Sequence, residues 1–403
     1  MKIQQVGRNH AWALLLALAL AWVVHVALFR EWHAFHTRMD FNTGPFEDFT
    51  GPYYRQALAM GEDARLVDWF LYPPSFACML MPLGWVTQGA AAWIWLGALG
   101  LASAGLGWAG WRFLERPTWA LTFGYSLCFA LGFPWLHDLH WGQVSTLVWA
   151  LTLGGLLALQ RSRPWCGAGA LSLAIAIKVF PAWFLLLPVL QRDGKTVARV
   201  TVLSVLWMVL LPLLVMGWPA TVRFYGDWIA GLRHAFDSLF WVSEGSQFGP
   251  AVLDRLWNHP SGGLKLLVWG LPWSLAGWLV WQAKRCVSGG DPALAAVLLA
   301  VALPQVLAPS WAHYFVWLPW GIFVVGQRCS SLGARSLLVG AAGIMSTPFF
   351  FAVGGHPAYV REGWLLLASL GLPLALLWQG GVASILVDQR GRGVGQDSNE
   401  VQA

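Results

Sequence analysis

Four polar clusters, set between long apolar runs, hold the residues most able to do chemistry. The first reads EDFTGPYYRQALAMG and places Asp48 a few residues before Tyr53 and Tyr54. A carboxylate beside aromatic rings suits a sugar, which acids and rings both bind well. Asp40-Phe41 repeats the Asp-Phe pair upstream, so Asp40 is the second candidate for the same role. The second cluster, HDLHWGQVSTL, puts Gln143 at the start of an apolar run. Beyond it, Lys178 stands in the middle of AIAIKVFPAW. An ionisable group in such a run is expensive unless it faces a cavity and a partner, so it marks a functional site or a structural ion pair. The third cluster, SEGSQFGPAVLDRLW, carries Gln247 and Arg255, and the fourth, APSWAHYFVWLPW, carries Trp311 and His313. Lys178, Arg255 and His313 can converge on an anionic group, since cationic donors pair with phosphate oxygens.

Two histidine pairs, His33/His36 and His137/His140 around Asp138, have spacings that a metal site can use. Histidines at a membrane interface are ordinarily solvated, and no metal or other cofactor is expected. The five cysteines form no C-x-x-C pair and indicate neither a disulfide framework nor a zinc site.

The elements that must position these residues are membrane helices. Only 11% of the 403 residues are charged and 57% are hydrophobic, against about 25% charge in a soluble domain. Backbone groups in hydrocarbon must be paired within their own segment, so apolar runs of spanning length are helices. The 29 Trp fit the aromatic belts of a membrane interface. The expected fold is therefore an all-α polytopic membrane protein, with full spans near 11–29, 89–111, 118–136, 144–160, 197–217, 264–283, 292–308, 311–327, 336–353 and 363–387. The first run resembles a signal peptide, but its length and the lack of a cleavage site favour an uncleaved span. Residues 73–86 are too short to cross. Residues 165–190, broken by Lys178 and Pro181, are expected to form a hairpin dipping into the membrane or two short spans, which would raise the count from ten to twelve.

Fifteen of the 25 Lys and Arg fall in the short loops that share a side with the N-terminus. The positive-inside rule then makes both termini cytoplasmic, in the plasma (inner) membrane. Segments 30–72 and 218–263 face the extracytoplasmic side, where chemistry is expected. The net charge of +6 belongs to these loops and indicates no nucleic-acid groove. Residues 1–387 form one transmembrane domain, and 388–403 are a short cytoplasmic disordered tail.

In order, the clusters resemble those of glycosyltransferase family 87, a group of polyprenol-phosphate-sugar-dependent transferases in the GT-C superfamily. EDFTGPYYRQALAMG with FLYPPSFACMLMPL is similar to the family's D-F, Tyr-rich and Y-P-P segment. WGQVSTLVWALTLGGLLALQRSRPWCGAGALSLAIAIKVFPAW is similar to its G-Q-x-N block running into K-x-x-P. EGSQFGPAVLDRLW is similar to its N-Q-S-x-x-G-x-x-x-R turn, and LAPSWAHYFVWLPW to its S-P-x-S-W-x-H-Y block. Ser145 replaces a frequent Asn, Ser246-Gln247 match the third block loosely, and the spacing from Asp48 to the tyrosines is one residue longer than usual.

The resemblance implies a GT-C-type bundle and a metal-independent, inverting transfer of one sugar from a polyprenyl-phosphate donor. Known members carry mannose or arabinofuranose, with mannose the first choice here. It makes Asp48 the general base and Lys178, Arg255 and His313 the donor-phosphate group. Tyr53, Tyr54, Gln143, Gln247 and Trp311 would line the substrate site. The acceptor would be a glycolipid, a polysaccharide or a protein. A flippase or transporter for a lipid-linked sugar, and a ligase or polymerase using a lipid pyrophosphate, are the competing readings.

Overall fold

The computed structural model describes residues 2–29, 46–115, 117–236, 241, 243–308 and 310–382. Asp40, the His33/His36 pair and the expected tail at 388–403 lie outside these residues. The described chain is an all-helical, multi-pass membrane bundle. Four helices are long and apolar enough to cross a bilayer: Asn9–Leu28, Gln88–Arg112, Gly194–Ala235 and Gly263–Ser288. Among the described residues, further apolar helical stretches of 10–17 residues accompany them.

This differs from ten uninterrupted spans, and the breaks have physical causes. The run expected at 118–136 divides into helices Trp119–Ala130 and Phe133–Trp141, and that at 336–353 into Leu332–Ile344 and Thr347–Ala352. Pro134 and Pro348 each fall in the first turn after the break, where a missing N–H costs nothing. The two breaks lie against each other. Phe133 donates its N–H to the Met345 carbonyl at 2.9 Å, and Thr347 donates to Leu131 at 2.8 Å. Each break satisfies the backbone groups the other leaves open, which is how irregular backbone survives away from water.

The apolar stretch 165–190, expected as a hairpin or two short spans, folds back on itself within 164–190. Helix Pro164–Ile177 ends where Lys178 takes an extended conformation. The chain then returns through the 3₁₀ turn Phe180–Leu185 and helix Leu186–Leu190. The next helix, Gly194–Val205, packs back along Pro164–Ile177, with the Arg199 guanidinium 5.2 Å from the centre of the Trp165 ring. Both feet of the hairpin thus stand at one end of the bundle, and Lys178 is its apex. Segment 73–86 is the short helix Pro74–Leu80 plus the turn Met81–Trp85, too short to cross.

Helix Pro292–Val306 is the centre of the bundle, with every side chain from Ala293 to Gln305 buried. A helix apolar on all sides belongs in the core. Its start is fixed by Asp291, which accepts the Leu294 N–H and both arms of the Arg328 guanidinium, at 2.7 and 3.1 Å. Arg328 and Asp291 are only 4% and 5% exposed, and Arg328 also reaches Glu115 at 3.1 Å. Outer helices direct Trp93, Leu101, Leu214 and Leu266 away from the protein, as lipid-facing residues would be.

Removing one partner of a buried pair strands the other. Arg328→Ala is expected to cost roughly 3–5 kcal/mol. Thermal unfolding in detergent micelles measures this, and pairing Asp291→Leu with Arg328→Met should recover part of the loss. An unchanged melting temperature in Arg328→Ala would refute the clamp.

Candidate active site

The polar clusters meet around one cavity of about 860 Å³. Asp48 enters it from a single π-type turn, Phe49–Tyr53, that runs directly into helix Tyr54–Glu62. Such turns recur at functional sites because they displace one residue from the regular helical register. Two contacts fix the turn. The Phe46 N–H bonds the His140 carbonyl at 2.7 Å, and Phe49 stacks on Trp95 with ring centres 5.4 Å apart.

The second cluster is held as tightly. Helix Phe133–Trp141 ends at Gly142, whose φ of 66° lies in the left-handed region that favours glycine. A Cβ there would also stand 2.9 Å from the Phe49 Cβ. The Trp95 indole N–H donates to the Gly142 carbonyl at 2.7 Å, and the Gln143 N–H bonds the Asp138 carbonyl at 2.9 Å. Gln143 is thereby set with its amide between Asp48 and two tyrosines. Its Nε2 donates to Asp48 Oδ2, while its Oε1 accepts from Tyr53 at 3.0 Å and Tyr72 at 2.9 Å. Asp138, weighed from sequence only as a metal ligand, instead receives the first N–H groups of helix Ser145–Gln160. Ser145 reaches one carboxylate oxygen at 3.2 Å and Thr146 the other at 3.0 Å. An anion at a helix N-terminus is favoured by the unpaired donors there.

Lys178 rises beneath both carboxylates from the apex of the hairpin. Its Nζ donates to Ser145 Oγ at 3.1 Å and lies 4.1 Å from the Tyr314 ring centre and 5.3 Å from that of Tyr72. Asp48 and Asp138 are both within electrostatic reach. Ser75 Oγ, donating to the Ala176 carbonyl at 2.5 Å, ties the Y-P-P segment to this apex. His313 is buried in the cavity wall with its ring 5.6 Å from that of His137, and its Nδ1 has no hydrogen-bond partner among the described residues.

Of the nine expected site residues, Asp48, Tyr53, Gln143, Lys178, Trp311 and His313 line the cavity. Tyr54, Gln247 and Arg255 are not part of its lining. Tyr54 donates to the Val86 carbonyl at 2.8 Å. Gln247 joins Val360 to Leu366 from a fully buried position. The Arg255 guanidinium holds the carbonyls of Ser243 at 3.1 Å, Ser246 at 2.6 Å and Arg361 at 3.3 Å. That loop contains Gly245, where a Cβ would come within 2.7 Å of the Trp311 ring, so Arg255 supports the seat of Trp311. Tyr72 and Trp95 were missed from sequence, and His137, which lines the cavity, was weighed only as a metal ligand. Tyr72 had a signal, the Y-P-P motif at residues 72–74; Trp95 had none beyond its place in an apolar run.

The cavity is thus lined by the Asp48 carboxylate, the buried Lys178 amine and the His313 ring. Burial pushes the Asp48 carboxyl up to about 6, with the Gln143 hydrogen bond and the charge of Lys178 acting against that rise. A carboxylate of that basicity is suited to taking a proton near neutral pH.

A multi-pass helical bundle whose polar cavity brings a buried carboxylate together with a lysine amine and a histidine ring has the makings of a membrane-embedded group-transfer enzyme. Residues 70–310 match glycosyltransferase family 87, and the chain belongs to that family. Over 353 residues it is 26% identical to the polyprenol-phosphate-mannose-dependent alpha-(1-2)-phosphatidylinositol mannoside mannosyltransferase of Mycobacterium tuberculosis (strain ATCC 25618 / H37Rv), covering 80% of this chain and 78% of that protein. It is 28% identical over 202 residues to the protein of the same name from Mycolicibacterium smegmatis (strain ATCC 700084 / mc(2)155), covering 46% of this chain and 42% of that one. No solved structure matches the chain significantly.

Because Gly142 meets both a backbone and a steric limit, Gly142→Ala should cost about 1–3 kcal/mol and loosen Gln143. A melting curve together with a transfer assay checks this. A variant matching wild type in both would show that Gly142 does not set the site.

Proposed function

We propose that this glycosyltransferase moves mannose from a polyprenyl-phosphate donor to a hydroxyl of an extracytoplasmic glycolipid, with Asp48 as general base and inversion at the anomeric carbon. The observation that carries this reading is that Asp48 and Lys178 line one cavity in a chain of family 87. The relatives' names specify a polyprenol-phosphate-mannose donor and a phosphatidylinositol mannoside acceptor, which supports the choice of sugar and of acceptor class.

The step balances simply. The acceptor oxygen attacks the anomeric carbon while Asp48 takes its proton, and the bond from that carbon to the phosphate oxygen breaks. The lipid phosphate departs with the bonding pair. Lys178 and His313 stand where donors can hold the developing anion, and preorganised donors do this without the reorientation that water requires. Arg255 contributes indirectly, through the loop that seats Trp311. Phosphate is already a good leaving group, so the reaction requires no metal. The distribution of basic residues supports cytoplasmic termini and an extracytoplasmic site.

Radiolabelled polyprenyl-phosphate mannose supplied to the purified enzyme with a phosphatidylinositol mannoside acceptor tests the reading. Label should enter the glycolipid, and Asp48→Asn should lower the rate roughly 10²–10⁴-fold. Full activity in that variant would remove Asp48 as the base. Label crossing the bilayer with no new glycosidic bond would make the protein a flippase.

The pH dependence has a definite sign. Only the ionised carboxylate accepts a proton, so kcat/KM should fall about tenfold per pH unit below about 6 and level off above it. A profile flat down to pH 5 would contradict the role.

A further inference from the structure

We propose that Tyr53 and Tyr72 are positioning residues that act on the reaction through Gln143, fixing which face of its amide meets Asp48. This rests on Asp48 being the base, and it assigns the two phenols no direct role in binding the sugar.

Donors and acceptors decide how the Gln143 amide is oriented. A phenol has a single O–H, and an amide has two N–H donors on one side and an acceptor oxygen on the other. Tyr72 spends its hydrogen on Gln143 Oε1 at 2.9 Å. The hydrogen of Tyr53 is shared between the Tyr72 oxygen and the same Oε1, which lies 3.0 Å away. Both lone pairs of that oxygen are then engaged, so the amide nitrogen must face the other way, toward Asp48 Oδ2. The reverse orientation would aim a carbonyl oxygen at a carboxylate and lose a charge-assisted bond. One carboxylate oxygen is thereby occupied, and Oδ1 is left to take the proton from the acceptor.

The surroundings keep this chain from relaxing. Tyr53 is fully buried and Tyr72 is 8% exposed. Their rings meet edge to face at 5.1 Å, and Phe76 packs against both. Phe70 closes another side of the pair. Trp95 packs on Tyr53 and also bonds the Gly142 carbonyl, one residue before Gln143. A hydrogen-bonded chain in such surroundings strengthens each of its members.

The test compares Gln143→Ala, Tyr72→Phe, Tyr53→Phe with Tyr72→Phe, and the triple variant, all in purified full-length enzyme with the labelled donor. Loss of a hydrogen bond to a charged group corresponds to roughly a 10- to 100-fold change. Gln143→Ala should therefore lower kcat by about that factor with the donor KM nearly unchanged. The double tyrosine variant should lose a similar factor, and the triple variant should be no slower than Gln143→Ala alone. Losses that multiply in the triple variant, or a tyrosine effect confined to KM, would show direct substrate contact and overturn the proposal. So would wild-type kcat in the double variant. If the double variant does not fold, Tyr72→Phe in the wild-type and Gln143→Ala backgrounds gives the same comparison: a fall in kcat of a few fold in the first and none in the second is expected, and equal losses in both would overturn it. Asp48→Asn is the control. If it stays active, the base assignment fails and takes this proposal with it; if it is inactive while the tyrosine losses multiply, the positioning chain alone fails.

Discussion

A lysine amine buried to the extent of Lys178, only 9% exposed, can be kept only where anions and polar atoms surround it. That requirement gathers the rest of the structure. It calls for the Asp48 and Asp138 carboxylates nearby, a hydroxyl from Ser145, and the face of Tyr314. These groups come from three parts of the chain, so satisfying one amine draws together the segment around Asp48, the stretch from Asp138 to the start of helix Ser145–Gln160, and the segment before helix Leu318–Gly326. Asp138 in turn serves the helix start at Ser145 and Thr146. The scaffold and the site are therefore joined by shared atoms. A change at Lys178 would unsettle packing as well as chemistry.

The same economy explains why the helices are broken. An unbroken span presents only side chains to its neighbours, whereas a glycosyl-transfer site needs exposed donors and acceptors at depth. The hairpin exposes Lys178 at its apex, and the breaks near Gly132 and Ser346 meet so that their backbone groups pair across the gap. The central helix Pro292–Val306 stays whole and buried, and its clamp at Asp291 and Arg328 holds neighbouring segments in place.

Much of this could be read from the sequence. Low charge and long apolar runs specified the helical membrane bundle, and Lys178 with Pro181 announced the hairpin. The four polar clusters named six residues that share the cavity. Three of the expected site residues lie off the cavity lining, which their place in the sequence does not reveal. Arg255 and Gln247 sit in a polar motif, and polarity alone does not say whether a side chain bonds substrate or backbone; both bond backbone here. Tyr54 follows Tyr53 directly in sequence, but successive helical residues point about 100° apart, so it leaves the site that Tyr53 enters. The span breaks escaped because paired breaks look, in one dimension, like ordinary apolar sequence with a proline. Asp138 was hidden by its histidine neighbours, which drew attention to metals rather than to the helix start seven residues on.

The proposed reaction is a single displacement, with Asp48 taking a proton and Lys178 and His313 holding the departing phosphate. The stereochemistry of one turnover tests that most directly. With a donor of defined anomeric configuration, NMR of the isolated product should show the opposite configuration at the transferred sugar. Retention would require a covalent sugar–enzyme intermediate or a second displacement, and would contradict Asp48 as a base.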